Sequence, residues 1–402
     1  MFSRRKFLKS GLLAAGGITV SSGVSGREFK EEKNIIYRTL GKTGLTVPVI
    51  GMGVMIADNP NLVRAAIDQG ITFFDTAHSY QNGRNEEMLG KVFRDYPRDS
   101  FYISTKIGPA GVNRAVGLPT RETTSKDFLS KFDLSLKRLG MEYVDILYLH
   151  LVNTPEMVNF KPLIRAMQQL RKEGRARFIG ISTHKLPSVI DAVVKAGHWD
   201  VIETTYNFLN TELIRQNAEP PVHGMEEALQ KAGDAGLGVV AMKALAGGGF
   251  LDKERTKPIN ASAAIKWVLS NPNVHIVIPG MTTFDHLDTD IKLLEDIALT
   301  EQEEKDIFIA RAETGLFCKS CDNCIPECRF NLPIPEIMRA YMYAYGYSNL
   351  QLAHALLTDL AVGDNPCRLC DECTSACSMN FNIREKITDI ARLVNVPPDF
   401  IV

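Results

Sequence analysis

A chain of 402 residues, 45% hydrophobic and 23% charged, has an ordinary globular composition and is too long for one small core. Its net charge of −1 gives no overall field for nucleic acid or anionic lipid, so no nucleic-acid partner is expected. No run approaches the ~20 apolar residues that cross a bilayer, and no membrane span is expected.

The N-terminus reads MFSRRKFLKSGLLAAGGITVSSGVSG. Arg4, Arg5, Lys6 and Lys9 precede a short, weakly apolar run from Gly11 to Val20. That layout is an export signal rather than a transmembrane helix, and SRRKFLK resembles a twin-arginine signal. Residues 1–33 are therefore read as signal and linker, with cleavage near Gly26. The mature protein is expected in the periplasm or another extracytoplasmic space. A frayed basic tail is the plainer alternative.

From Tyr37 to Leu299, short apolar runs alternate with amphipathic segments. The apolar runs are VIGMG (49–53), FFDTA (73–77), FYISTKI (101–107), VDILYLHL (144–151), FIGIST (178–183), VIETTYN (201–207), VVAMK (239–243) and IVIPG (276–280). Each leads into a helical segment; in one, Phe128, Phe132, Leu136 and Leu139 recur at helix spacing. Nearly continuous apolar strands are those of a parallel sheet buried on both faces. Eight such repeats predict an α/β fold, a (β/α)8 TIM barrel over 34–300. A doubly wound open sheet competes, but the first strand–helix junction carries no G-x-G-x-x-G.

A TIM barrel keeps its active site at the C-terminal ends of its strands. Asp75 ends the second strand and Tyr80 follows in its loop. Lys106 ends the third strand and His150 the fourth. Together these residue types make a proton donor for carbonyl reduction. A lysine cation beside a tyrosine is expected to lower its pKa. The carboxylate would hold the lysine, and the histidine would orient the carbonyl or share the proton. Singly, each has a structural reading: a buried salt bridge, or a core histidine.

Here the sequence resembles the aldo/keto reductase family, from YRTLGKTGLTVPVIGMG to about residue 297, through DTAHSY, STK, YLH, GIST and VIPG in order. The resemblance implies NAD(P)H-dependent interconversion of carbonyl and alcohol groups on small substrates. It makes Asp75, Tyr80, Lys106 and His150 the catalytic tetrad, with Tyr80 the general acid. It gives Ser182 and Thr183 to the nicotinamide amide, and Gly247 and Gly248 of LAGGGF to the pyrophosphate loop. Glu203 replaces the family's usual glutamine, and Met242 its usual stacking ring. Gly280, His286 and Asp290 stand where a lysine, an arginine and an asparagine usually bind the adenosine phosphate. Losing two cations weakens the case for NADPH and keeps NADH open.

All eight cysteines lie in CKSCDNCIPEC (318–328) and CRLCDECTSAC (367–377), each spaced C-x2-C-x2-C-x3-C. This is the ferredoxin cluster pattern; disulfides and zinc are the alternatives. Residues 301–402 resemble an extension on one branch of the same reductases, a mainly helical ferredoxin-like domain with two [4Fe–4S] clusters. By ferredoxin logic Cys318, Cys321, Cys324 and Cys377 hold one cluster, and Cys367, Cys370, Cys373 and Cys328 the other. Between the runs, Ile337, Tyr341 and Tyr345 form an aromatic helix stripe expected to fasten this domain to the barrel. The clusters are expected either to exchange electrons with a partner protein or to staple the fold. A non-enzymatic nicotinamide-binding subunit that senses redox state is the alternative function.

Overall fold

The computed structural model describes residues 34–185, 187–209, 224–247, 260–312, 318, 320–380 and 382–401. The signal-like segment 1–33 and Gly248 lie outside the described residues.

A hairpin of β1 (Tyr37–Thr39) and β2 (Thr46–Pro48) precedes the repeats. The repeats run β3 (Met52–Gly53), α1 (Pro60–Asp68), β4 (Phe73–Asp75), α2 (Arg84–Phe93) and β5 (Tyr102–Ile107). A small hairpin, β6 (Val112–Asn113) and β7 (Leu118–Pro119), interrupts before α3 (Ser125–Leu139) and β8 (Val144–Leu149). Then come α4 (Pro155–Val158), α5 (Lys161–Lys172), β9 (Ala176–Thr183), α6 (Ser188–Ala196), β10 (Val201–Thr205), α7 (Met225–Asp234) and β11 (Gly238–Met242). The last are α8 (Ala261–Leu269), β12 (Ile276–Val277) and α9 (Phe284–Ile291).

Eight of these strands form one parallel sheet in the order β12-β11-β10-β9-β8-β5-β4-β3. Its two edges meet through parallel bridges Ile50–Val277 and Gly53–Gly280, with Gly51 N donating to Val277 O at 2.8 Å. The fold is thus a (β/α)8 barrel-like one, and each apolar run named above supplies one of its strands. The strands are buried because their side chains meet helices outside and one another inside. Helix α3 shows the local logic. Thr124 caps its first turn, Gly140 ends it in the left-handed region, and Phe128, Phe132, Leu136 and Leu139 face the core.

Helix α10 (Glu301–Ala312) lies past residue 300 yet packs on α8, where Lys266 Nζ meets Glu303 Oε1 at 3.1 Å. The tail proper adds α11 (Ile334–Tyr345), α12 (Leu350–Asp359) and α13 (Ile383–Ala391) around its own apolar cluster. It sits on the barrel face formed by the C-terminal strand ends. Met55 of the loop after β3 packs into the tail cluster, Arg114 meets Asp359 at 3.2 Å, and Lys185 pairs with Asp322.

At the opposite end, Asp145 near the start of β8 is fully buried. It accepts from Arg98 Nη2 at 2.7 Å, Arg177 Nη1 at 2.6 Å and the Ile103 amide at 3.0 Å. Asp145→Ala strands these donors and is expected to cost about 3 kcal/mol of stability. Urea unfolding measures this, and a loss below about 1 kcal/mol would contradict it.

Candidate active site and cysteine cavities

Parallel pairing brings the polar strand ends to one level: Asp75 pairs with Ser104, and Glu203 with Ser182. The loops that follow are held in costly backbone conformations. Gln81 and Asn82 after β4, Leu151 after His150 and Lys243 after β11 all have positive φ. Non-glycine residues rarely adopt this region, and such strain concentrates at functional sites. Side-chain hydrogen bonds hold the Tyr80 loop. Gln81 Nε2 donates to Ala57 O at 3.2 Å, Asn85 Nδ2 to Val54 O at 2.6 Å, and Thr76 Oγ1 to Asn85 Oδ1 at 2.6 Å.

Lys106 is the centre of the site. It is fully buried, in contact with Asp75 and 3.3 Å from Glu203 Oε2. It also donates to Thr76 O at 3.1 Å and to the Tyr80 hydroxyl at 3.4 Å. Ser104 Oγ fixes the other Asp75 oxygen at 2.6 Å. The His150 ring stands edge-on to Tyr80 with centroids 6.1 Å apart. All four residues expected to act together are therefore together.

The electrostatics corrects one expectation. Burial raises the Tyr80 pKa, and the neighbouring carboxylates of Asp75 and Glu203 add to it. The opposing pull of Lys106 does not reverse the shift. Tyr80 thus keeps its proton more firmly than a free tyrosine. Burial alone would depress Lys106, but Asp75 and Glu203 hold it above its ordinary value. Burial, then Lys106, Arg114, Arg339 and Lys243, push His150 well below the usual histidine range, so its imidazole is neutral. Burial and Asp75 raise Glu203.

The residues given to a cofactor line the neighbouring strand ends. Ser182 Oγ donates to Glu203 Oε1 at 3.0 Å. Glu203 Oε2 lies near Lys106 but accepts no aligned hydrogen bond. Thr183 and Met242 are buried beside them. Gly247, with φ +62, faces Met342 of the tail. Gly280 opens onto free space, and His286 is exposed, 3.3 Å from Thr282 Oγ1. Asp290 is buried, which raises it to about 7, so it offers a phosphate no cation.

The eight cysteines are free thiols that divide between two cavities of about 360 Å³ each. Cys318, Cys321, Cys324 and Cys377 line one; Cys328, Cys367, Cys370 and Cys373 line the other. Burial, with the neighbouring thiols, raises Cys318 and Cys324 to about 12. Among the described residues no three His, Cys, Asp or Glu side chains converge on a single ion.

The aldo/keto reductase family model matches residues 56–263. The chain belongs to the aldo/keto reductase family. Within it, the chain is 28% identical to L-glyceraldehyde 3-phosphate reductase of Escherichia coli O157:H7, over 71% of this chain and 96% of that protein. It is 27% identical to an Arabidopsis thaliana protein named "Probable voltage-gated potassium channel subunit beta", over 65% of this chain and 92% of the other. An aldo-keto reductase from Klebsiella pneumoniae in complex with NADPH shares the fold at a TM-score of 0.54 and 22% identity, covering 69% of this chain and 96% of that one. By family this chain is an oxidoreductase of the aldo/keto reductase type.

Sequence reasoning missed the tail's approach to the site. Among the described residues, Ile337 and Tyr345 of the expected stripe make their contacts within the tail. Ile337 is buried in the tail, Lys386 lies over the Tyr341 ring, and the Tyr345 hydroxyl bonds Asp389. Other α11 residues face the barrel: Arg339, Met342 and Tyr343, with Tyr347 just beyond. Lys243 contacts the Tyr347 hydroxyl and lies 5.9 Å from the Tyr343 ring centroid. The signal lay in MYAYGY, where tyrosines also alternate at 343, 345 and 347.

The depressed histidines give a direct check. The ring resonances of His150 and His184, identified by their loss in His→Asn variants, should stay neutral between about pH 8 and 6. A midpoint near the unperturbed ~6.5 would contradict the assigned burial.

Proposed function

We propose that this chain is an exported NAD(P)H-dependent oxidoreductase that interconverts carbonyl and alcohol groups and carries two [4Fe–4S] clusters in its tail. The observation that carries the reading is Lys106, buried between Asp75 and Glu203 and 3.4 Å from the Tyr80 hydroxyl. Cofactor fit is supported by Glu203 Oε2, a buried acceptor without an aligned donor, where a carboxamide N–H could end. Ser182, Thr183 and Met242 would flank the nicotinamide, and Gly247 the diphosphate. The two cations missing at 280 and 286 favour acceptance of NADH alongside NADPH.

When bound, the reduced nicotinamide supplies hydride to the carbonyl carbon. Tyr80 gives its hydroxyl proton to the carbonyl oxygen, breaking its own O–H bond as the alcohol O–H forms. Lys106 steadies the tyrosinate left behind, and Asp75 holds Lys106 in place. Neutral His150 is placed to donate to the same carbonyl oxygen and orient it. Alcohol oxidation runs these steps in reverse.

Cluster fit is supported by thiol donors in two sets of four, each lining a cavity. Each set takes three cysteines from one run and the fourth from the other, the exchange used by two-cluster ferredoxins. That arrangement supports reading the tail as ferredoxin-like. Export rests on the N-terminal sequence alone. A partner protein for electron exchange would meet the second set, where Cys373 is exposed.

The channel-subunit relative supports the alternative, a nicotinamide-binding subunit without turnover. The complete tetrad argues against it. Tyr80→Phe should lower kcat for carbonyl reduction by about a hundredfold or more while nicotinamide still binds. Wild-type protein that binds nicotinamide but turns over no aldehyde or ketone would favour the alternative. Anaerobic protein should hold about eight iron atoms per chain, and Cys377→Ser about four, with the second cluster retained. Equal loss of both clusters would speak against crossed ligation.

A further inference from the structure

Between the barrel mouth and the tail lies a cavity of about 390 Å³. His184, Thr205 and Lys243 line it from the barrel, and Cys318, Arg339 and Met342 from the tail. Two features make it an anion site. Lys243 sits at the end of β11 with φ +60, and among the described residues its ammonium contacts the Tyr347 hydroxyl and no carboxylate. Arg339 is buried on α11, with Nη2 committed to Glu336 at 2.9 Å. A guanidinium has five N–H donors, so most of this fork remains for a ligand. Burial and then Arg339 lower Lys243 to about 7, with Glu203 pulling the other way. Arg339 keeps Glu336 as a partner, whereas Lys243 pairs with no carboxylate among the described residues, so an anion entering the cavity would meet both cations.

The cavity's barrel residues are one or two positions beyond Thr183, Glu203 and Met242, the residues proposed to flank nicotinamide. Its far side touches the glycine loop. A Cβ on Gly247 would strike Met342 Sδ, and one on Gly346 would strike the Gly247 carbonyl oxygen. Helix α11 therefore lies against Gly247, the first glycine of the segment proposed to cradle the diphosphate.

We propose that Lys243 of the barrel and Arg339 of the tail jointly bind the diphosphate of the dinucleotide, so that the tail latches the cofactor in place. The inference rests on the nicotinamide reading of the barrel site. It has a consequence for an exported enzyme, which meets little free NAD(P)H: the cofactor stays bound between turnovers and is reoxidised or rereduced in place by alternating alcohol and carbonyl substrates.

The test uses anaerobically purified, cluster-loaded full chain. Protein is loaded with NADH or NADPH and chased with excess oxidised dinucleotide, and release is followed by nicotinamide fluorescence. Arg339→Gln and Lys243→Gln should each speed release about tenfold or more, with Arg339→Lys recovering part of the loss. Gly346→Ala, a wedge between helix and loop, should also speed release. Reduced nicotinamide riboside, which carries no phosphate, should bind all variants alike. Iron content and melting temperature show that the tail remains folded. Unchanged release in folded Arg339→Gln and Lys243→Gln overturns the latch. So does unchanged release with a raised KM for anionic substrates, which would give the cations to the substrate. If wild-type protein binds no nicotinamide, the oxidoreductase reading fails and the latch with it.

Discussion

The site depends on one buried cation. Lys106 has no exposure to water, and an unpaired ammonium there would lose its proton or unfold the strand ends. Asp75 and Glu203 keep it charged from two sides, and Ser104 and Ser182 hold those carboxylates from the far side. This geometry requires β4, β5, β9 and β10 in fixed register, which the parallel sheet supplies. Catalytic placement and barrel closure are therefore one structural problem.

The same charge balance sets the proton chemistry. Two carboxylates and burial outweigh the lysine at Tyr80, so the tyrosine remains an acid. The family's usual glutamine at 203 would bring one carboxylate fewer. Glu203 thus changes the local protonation: burial, then the neighbouring Asp75 carboxylate, raises its pKa against the pull of Lys106.

Much of this was legible in the sequence because it is periodic or local. Eight apolar runs gave eight strands, and Asp75, Tyr80, Lys106 and His150, read from strand ends and a loop, lie together. The cysteine spacing gave two sets of four, including the exchange of Cys328 and Cys377 between cavities. What stayed hidden depends on distant packing. The sign of the Tyr80 shift needed the burial and the position of Glu203. The barrel-facing side of α11 could not be chosen from Tyr341 and Tyr345, because Tyr343 and Tyr347 repeat at the same interval. Lys243 and Arg339 lie 96 positions apart in the chain, and only the seating of α11 against Gly247 brings them to one cavity. That seating also puts Cys318 on a wall shared with the barrel site, so the first cysteine set is the one near the proposed cofactor.

Hydride moves two electrons at once, and an iron–sulfur cluster normally carries one. In the proposed reading the tetrad carries the carbonyl chemistry without the tail, and that claim has a direct test. Protein loaded with nicotinamide deuterated at the transferring carbon is given an aldehyde or ketone under anaerobic conditions, and the alcohol is examined by mass spectrometry. Hydride transfer at the tetrad places one deuterium on the former carbonyl carbon, and Lys106→Met abolishes it. Alcohol formed without deuterium, or label transfer that persists in a folded Lys106→Met protein, would contradict the account.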